Sequence, residues 1–280
     1  MSLSRSLFPF SRPCALTADR RTVLRAAAGL LLAQTLPLSA QARVAIATAI
    51  NRTARYRALS QRAAKAYGLL YLQVSPLRSR DVLEAARKQI RAGLVDLDEQ
   101  GWPPEVARLL GEVRKAAGQL DALLAQAPAR DTYLAACRQS DVLLAAADKA
   151  TQSLEQLAQA PSAKLVNVAG RQRMLSQRLA RDYGLMAAGL AGSGARAQMA
   201  QDASEFQSAL GQLGAAPIST PAIRSALELG QAQWLFFEAA LKRQPDARGQ
   251  EEVATTSERL LEVMDNLTGL YEAALRDVLG

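Results

Sequence analysis

One stretch of this chain is written twice, and that constrains the fold more than any other feature. Residues 50–69 align with residues 166–185 at an offset of 116, without a gap. Eleven of the twenty positions are identical. They include Asn51/Asn167, Arg55/Arg171, Arg57/Arg173, Gln61/Gln177, Arg62/Arg178, Tyr67/Tyr183 and Gly68/Gly184. Shared Ala-rich composition does not produce such a match, and a repeat of this length reports a duplicated structural unit. The chain breaks repeat as well. Pro76 falls opposite Gly192, the Gly101–Pro104 stretch opposite Pro217–Pro221, and Pro128 opposite Pro245, one residue out.

Between the breaks Ala, Leu, Glu, Gln and Arg dominate and β-branched residues are few, which is a helical composition. The breaks predict helices near 45–74, 80–100, 104–126 and 131–159, then near 163–189, 195–213, 221–243 and 248–278. Ser79, Asp131 and the Ser219-Thr220 pair are expected helix starts. Joined by short turns, such helices lie antiparallel. The expected fold is all-α: two tandem up-down antiparallel four-helix bundles, over residues 43–160 and 161–280.

Residues 1–42 read as an export signal that is removed near Ala42. Arg20 and Arg21 precede a short apolar run from Ala26 to Leu36, and Ala40-Gln41-Ala42 closes it. The run is too short for a membrane span of ~20 residues. The twin arginine points to the Tat route, with an ordinary Sec signal as the alternative. The mature protein is therefore expected in the periplasm, without a membrane span.

Composition narrows the function. The chain has no His and two Cys. That excludes imidazole bases, His-ligated metals and Cys-rich metal sites, so neither a metal nor a cofactor is expected and the chain does not read as an enzyme. Cys14 lies in the signal, and Cys137 reads as a small buried side chain. The net charge is +8, with 34 basic residues. These are interspersed with acids and aromatics are scarce at 5%, so the footprint of a nucleic-acid binder is missing. Asp96, Asp98 and Glu99 read as a solvated turn, not a cation site. Trp102, Trp234, Phe236 and Phe237 read as core or turn packing.

On a helical wheel, Leu165, Val168, Leu175, Leu179, Tyr183 and Met186 share one arc, the bundle core. Arg173 lies beside it, on a stripe of small residues with Val166, Ala169, Gln177, Ala180 and Gly184. Arg57 repeats this with Thr53, Gln61, Ala64 and Gly68, while Arg55, Arg62, Arg171 and Arg178 lie further outward. Small residues admit a neighbouring helix, so Arg57 and Arg173 are expected to be partly enclosed. Residues 50–69 contain no acid, and residues 166–185 contain only Asp182. Two such arginines ~6 Å apart repel by about 3 kcal/mol at an effective dielectric near 20. A small anion between them turns that into attraction. The bland account is that such arginines are solvated, with their stems lying over apolar neighbours.

The run Asn167-Val168-Ala169-Gly170-Arg171-Gln172-Arg173-Met174-Leu175-Ser176-Gln177-Arg178 resembles the segment opening the periplasmic domain of PilJ-type transducers. It is also similar to the P-box of NarX-type nitrate/nitrite sensor kinases. The first copy matches more weakly, with Thr53-Ala54 for Ala-Gly and Ala58 for Met. The resemblance implies a four-helix sensor module that holds nitrate or nitrite between two first helices. The anion would sit on the arginine that precedes Met and on backbone near the Ala-Gly pair. Carried to this chain, the candidate ligand-binding residues are Arg57, Arg173, Ala169 and Gly170, with Gln61 and Gln177 on the same stripe. The two modules would pair within one chain, or each with its copy in another. Lacking kinase and methyl-accepting regions, a sensor of this kind acts through a membrane sensor or transporter partner. The competing expectation is a module that binds no ligand and docks a pilin, a membrane sensor or a transporter component.

Overall fold

The computed structural model describes residues 40–93, 97 and 101–279. They form eight helices and no strand: α1 Ala40–Tyr71, α2 Pro76–Ala92, α3 Pro104–Leu124, α4 Arg130–Ala158, α5 Pro161–Ala187, α6 Ala195–Gly214, α7 Pro221–Leu241 and α8 Ala247–Leu279. The expected all-helical bundle architecture is what the chain adopts. Residues 1–39 of the expected export signal and the Asp96, Asp98 and Glu99 cluster lie outside the described residues, while Ala40, Gln41 and Ala42 open α1.

Proline sets half of the helix starts. Pro76, Pro104, Pro161 and Pro221 each stand in the first turn, where no backbone N–H is required and φ is already helical. Thr220 caps α7 by accepting from the Ile223 N–H. Ser79 does not start α2. It lies inside the helix, buried, and its hydroxyl donates back to the Val74 carbonyl. Pro76, three residues earlier, makes the start, because a fixed φ outweighs a capping hydroxyl there. Thr132, not Asp131, serves the start of α4: its hydroxyl accepts from the Ala129 N–H.

The ends of α1 and α5 are built alike. Leu72, Gln73 and Val74 donate backbone hydrogen bonds to Gly68, Leu70 and Leu69. Ala188, Gly189 and Leu190 donate to Gly184, Met186 and Leu185, the same three bonds one repeat later. The left-handed residue that closes each turn is Gln73 (φ 57°) in one and Gly189 (φ 65°) in the other.

Within the first half, α1 packs chiefly on α4 and α2, and α3 on α4. Within the second, α5 packs on α8 and α6, and α7 on α8. The main contact between halves is α1 against α5, as extensive as α1 against α4. Thus the repeated helices face each other. Their small-residue stripes, not only the leucine arcs, are the most buried surface. Thr53, Ala54, Gln61 and Ala64 are buried in α1, and Val166, Ala169, Gln177 and Ala180 in α5. Leu175, Leu179 and Tyr183 are core as expected, whereas Leu165, Val168 and Met186 are only partly buried. Trp234 and Phe237 are core, with Trp234 stacked on Phe206. Phe236 is not: it is 64% exposed on the outer face of α7.

Candidate functional site

The α1/α5 seam closes tightly where Ala54 meets Gly170. A Cβ built on Gly170 would lie 3.1 Å from the Ala54 Cβ, 3.2 Å from Arg173 Nη2 and 3.3 Å from Arg57 Nη2. Glycine is needed here to let the two helices cross, and two guanidinium groups, one from each half, converge on the same point. Both arginines are 0% exposed, so they are wholly enclosed and not partly so.

Each guanidinium has a carboxylate from the last helix of its own half. Arg57 Nη1 donates to Asp148 Oδ1 at 2.7 Å, and Arg173 Nη1 to Asp265 Oδ1 at 2.6 Å. Each also reaches across the seam. Arg57 Nη2 donates to the Asn167 carbonyl, and Arg173 Nη2 to the Asn51 carbonyl and to Asn51 Oδ1. Asn51 in turn donates to Glu272, and Asn167 to Glu155. Arg55 binds Asp265 with one nitrogen on both carboxylate oxygens, and Arg171 lies 3.7 Å from Asp148.

These carboxylates correct the charge argument made from the repeated segment alone. The arginine pair does not lack a counter-charge, because α4 and α8 supply one acid to each. Burial still dominates the titration. Desolvation pulls Arg173 down to about 10 and also lowers Arg57, with Asp265 and Asp148 opposing it. Asp265 is pushed up by burial, but Arg173 and Arg55 outweigh this and hold it below the ordinary range. Arg173 Nε is buried without a hydrogen-bond partner.

Gln61 and Gln177 are not brought to this crossing. They form a second polar layer one helical turn along. Gln177 accepts from Lys65 and donates to the Ser257 carbonyl, and Gln61 donates to the Ser140 carbonyl. Lys65 reaches across the seam to Ser257 and Glu258 of α8. Arg181, its repeat partner, reaches across to Ser140 and Asp141 of α4, and it also pairs with Asp182 beside it. Glu258 is pushed up by burial but pulled down harder by Lys65 and Arg62, to about 2. Ala169 is fully buried in α5.

Asp148, Asp265, Glu155, Glu272, Ser140, Ser257 and the pair Asp141/Glu258 were missed in the sequence. A signal for them exists. They recur between α4 and α8 at an offset of 117, the register announced by Pro128 and Pro245. Cys137 is buried, and desolvation pushes its thiol up to about 12, so it behaves as a packing residue.

With the geometry in place, the comparison with known families falls on the second half. Residues 157–260 match the PilJ family model, described as the type IV pili methyl-accepting chemotaxis transducer N-terminal region. The match supports the PilJ family. It spans from the end of α4 into α8 and takes in the whole of α5, with Gly170, Arg173 and Gln177. The PilJ domain is a sensory module of signal transduction. No curated protein and no solved structure matches the chain. Among the described residues no cluster of metal-ligating side chains occurs, and no helix is long and apolar enough to cross a membrane.

Proposed function

We propose that the chain is a periplasmic sensory accessory protein built from two PilJ/NarX-like modules, which signals through a partner. The exported, mature protein pairs its two modules within one chain, as a sensor dimer would pair two subunits. Its ligand is a small oxyanion, nitrate or nitrite first, held between Arg57 and Arg173 against the Ala169-Gly170 backbone.

The observation that supports this reading is the convergence of both guanidiniums on Gly170. The oxyanion enters by exchange. Asp148 and Asp265 retain 24% and 43% side-chain exposure, so they turn outward to Arg171, Arg55 and water when the anion takes their place. Exchange loosens α4 and α8 from the seam, and that change is what a partner reads. A differential contact of this sort is the minimum a ligand needs to shift a conformational equilibrium.

The test is a thermal-shift titration of the full chain. A saturable rise in Tm with nitrate or nitrite, absent with chloride, supports the reading. Loss of that response in Arg57→Lys and Arg173→Lys completes it, since lysine keeps the charge without the planar fork. No oxyanion response beyond that of chloride rejects it.

A second reading is favoured by the outer face of α7. Leu229, Leu235 and Phe236 are 50%, 65% and 64% exposed there. In that reading the ion-paired seam is a fixed core, and α7 docks a pilin, a membrane sensor or a transporter component. Association with such a partner that is lost in Phe236→Asp and indifferent to nitrate distinguishes it.

A further inference from the structure

A groove of about 390 Å³ opens where α1, α2 and α8 meet, beside the Gly170 crossing, with Arg173 and Asp265 of that crossing in its lining. Five arginines line it, Arg55, Arg62, Arg78, Arg173 and Arg259, against the carboxylates of Glu258, Glu262 and Asp265. Cations exceed anions by two, one charge of the surplus around Asp265 and the other among Arg78, Arg259 and Glu262, where Glu262 also makes no ion pair with any described residue. Arg55 and Arg173 share Asp265, and Arg62 holds Glu258. Arg78 donates to the hydroxyl of Thr255. Arg259 makes no ion pair with any described residue. Arg173, which also lines the groove, is fully buried.

The pseudo-symmetric position on the other side of the seam is built differently. There Gly194 replaces Arg78, Val142 replaces Arg259, and Ala145 replaces Glu262. In addition α6 brings Asp202 and Glu205, which pair with Arg178 and Arg171. Their counterparts on α2 are Ala86 and Gln89. One side of the duplication is thus neutralised from within, and the other keeps unmatched positive charge around open volume. Duplication followed by divergence of this kind leaves one site, not two.

We propose that this groove binds a short dicarboxylate. Its volume lies in the range of small-molecule sites, far larger than nitrate fills. The two least satisfied guanidiniums, Arg78 and Arg259, come from different helices, so a ligand with two anionic ends engages both by charge-assisted hydrogen bonds. Leu59, Ala58 and Leu261 supply an apolar wall for the carbon chain between those ends. The inference does not rest on the oxyanion reading of the crossing, and it takes a different chemical class of ligand.

Isothermal titration of the full chain with succinate tests it, with propionate, phosphate and chloride as comparisons. Saturable succinate binding is expected. It should weaken at least tenfold in the Arg78→Ala/Arg259→Ala double variant, whose altered side chains are exposed and lie away from the seam. Propionate should bind at least tenfold more weakly than succinate. The double variant should leave any nitrate response in Tm unchanged, so the two sites fail independently. Absence of saturable succinate binding overturns the proposal, as does equal binding by the double variant. Phosphate binding as tightly as succinate overturns the dicarboxylate assignment.

Discussion

The two copies of the repeated helix place the same residues at the seam but settle their charges differently. In the second half, Arg171 and Arg178 pair with Glu205 and Asp202 of the same half, and Arg181 divides between Asp182 beside it and Asp141 across the seam. In the first half, Arg55, Arg62 and Lys65 all depend on Asp265 and Glu258 of α8. Arg57, by contrast, keeps a carboxylate of its own half. The second copy therefore reads as a near-complete module, and the first as one that has come to rely on its neighbour. The family match, over residues 157–260, also falls on the second half.

Separating the halves breaks this comparison most severely. Residues 161–280 alone should retain a cooperative thermal transition, while residues 43–160 alone should lose it, because three cations of α1 would then have no carboxylate. Circular dichroism melts of the two fragments check this. Equal stability of both would show that the borrowed ion pairs carry little.

Next come the buried arginines themselves. Arg57→Met and Arg173→Met each remove the fully buried partner of an ion pair whose carboxylate is part-exposed, a loss of about 1.5–3 kcal/mol. Urea unfolding should place the two variants within about 1 kcal/mol of each other if the pseudo-symmetry of the crossing is real.

Acid sharpens the same contrast through α8. Glu258 is held near 2 against an ordinary value of 4.5. Because its folded value is depressed, its contribution is complete above about pH 5 and fades as pH falls toward 2. It amounts to roughly 3 kcal/mol. The acid limb of Tm against pH should be flatter in Glu258→Gln, which starts lower at neutral pH.

The smallest effect lies at the helix ends. Gln73 and Gly189 occupy the same left-handed position. Gln73→Gly should raise stability by up to about 1 kcal/mol and Gly189→Gln should lower it by a similar amount.

The architecture was legible because the signals were local: proline at helix starts, Ala- and Leu-rich runs between breaks, and a repeat that fixed which helices correspond. The approach of Arg57 and Arg173 was legible too, from small residues on one stripe. Their neutralisation was not. A helical wheel sees only its own helix, whereas Asp148 and Asp265 arrive from α4 and α8, some ninety residues further along the chain. The partners of the glutamines were not legible for the same reason, since Lys65, Ser257 and Asp141 draw them into a layer of their own. Ser79 shows the local limit, where a capping residue type lost to a nearby proline.

The central claim is that α1 and α5 of one chain cross at Ala54 and Gly170. In a chain with Cys14 and Cys137 replaced by Ala, the Ala54→Cys/Gly170→Cys pair tests it directly. Cβ atoms this close permit a disulfide after a shift of a few tenths of an ångström. Mild oxidation of dilute protein should yield an intramolecular cross-link, read by mass spectrometry as loss of both thiols in a monomer. Two free thiols, or cross-linking only between separate chains, would contradict the account.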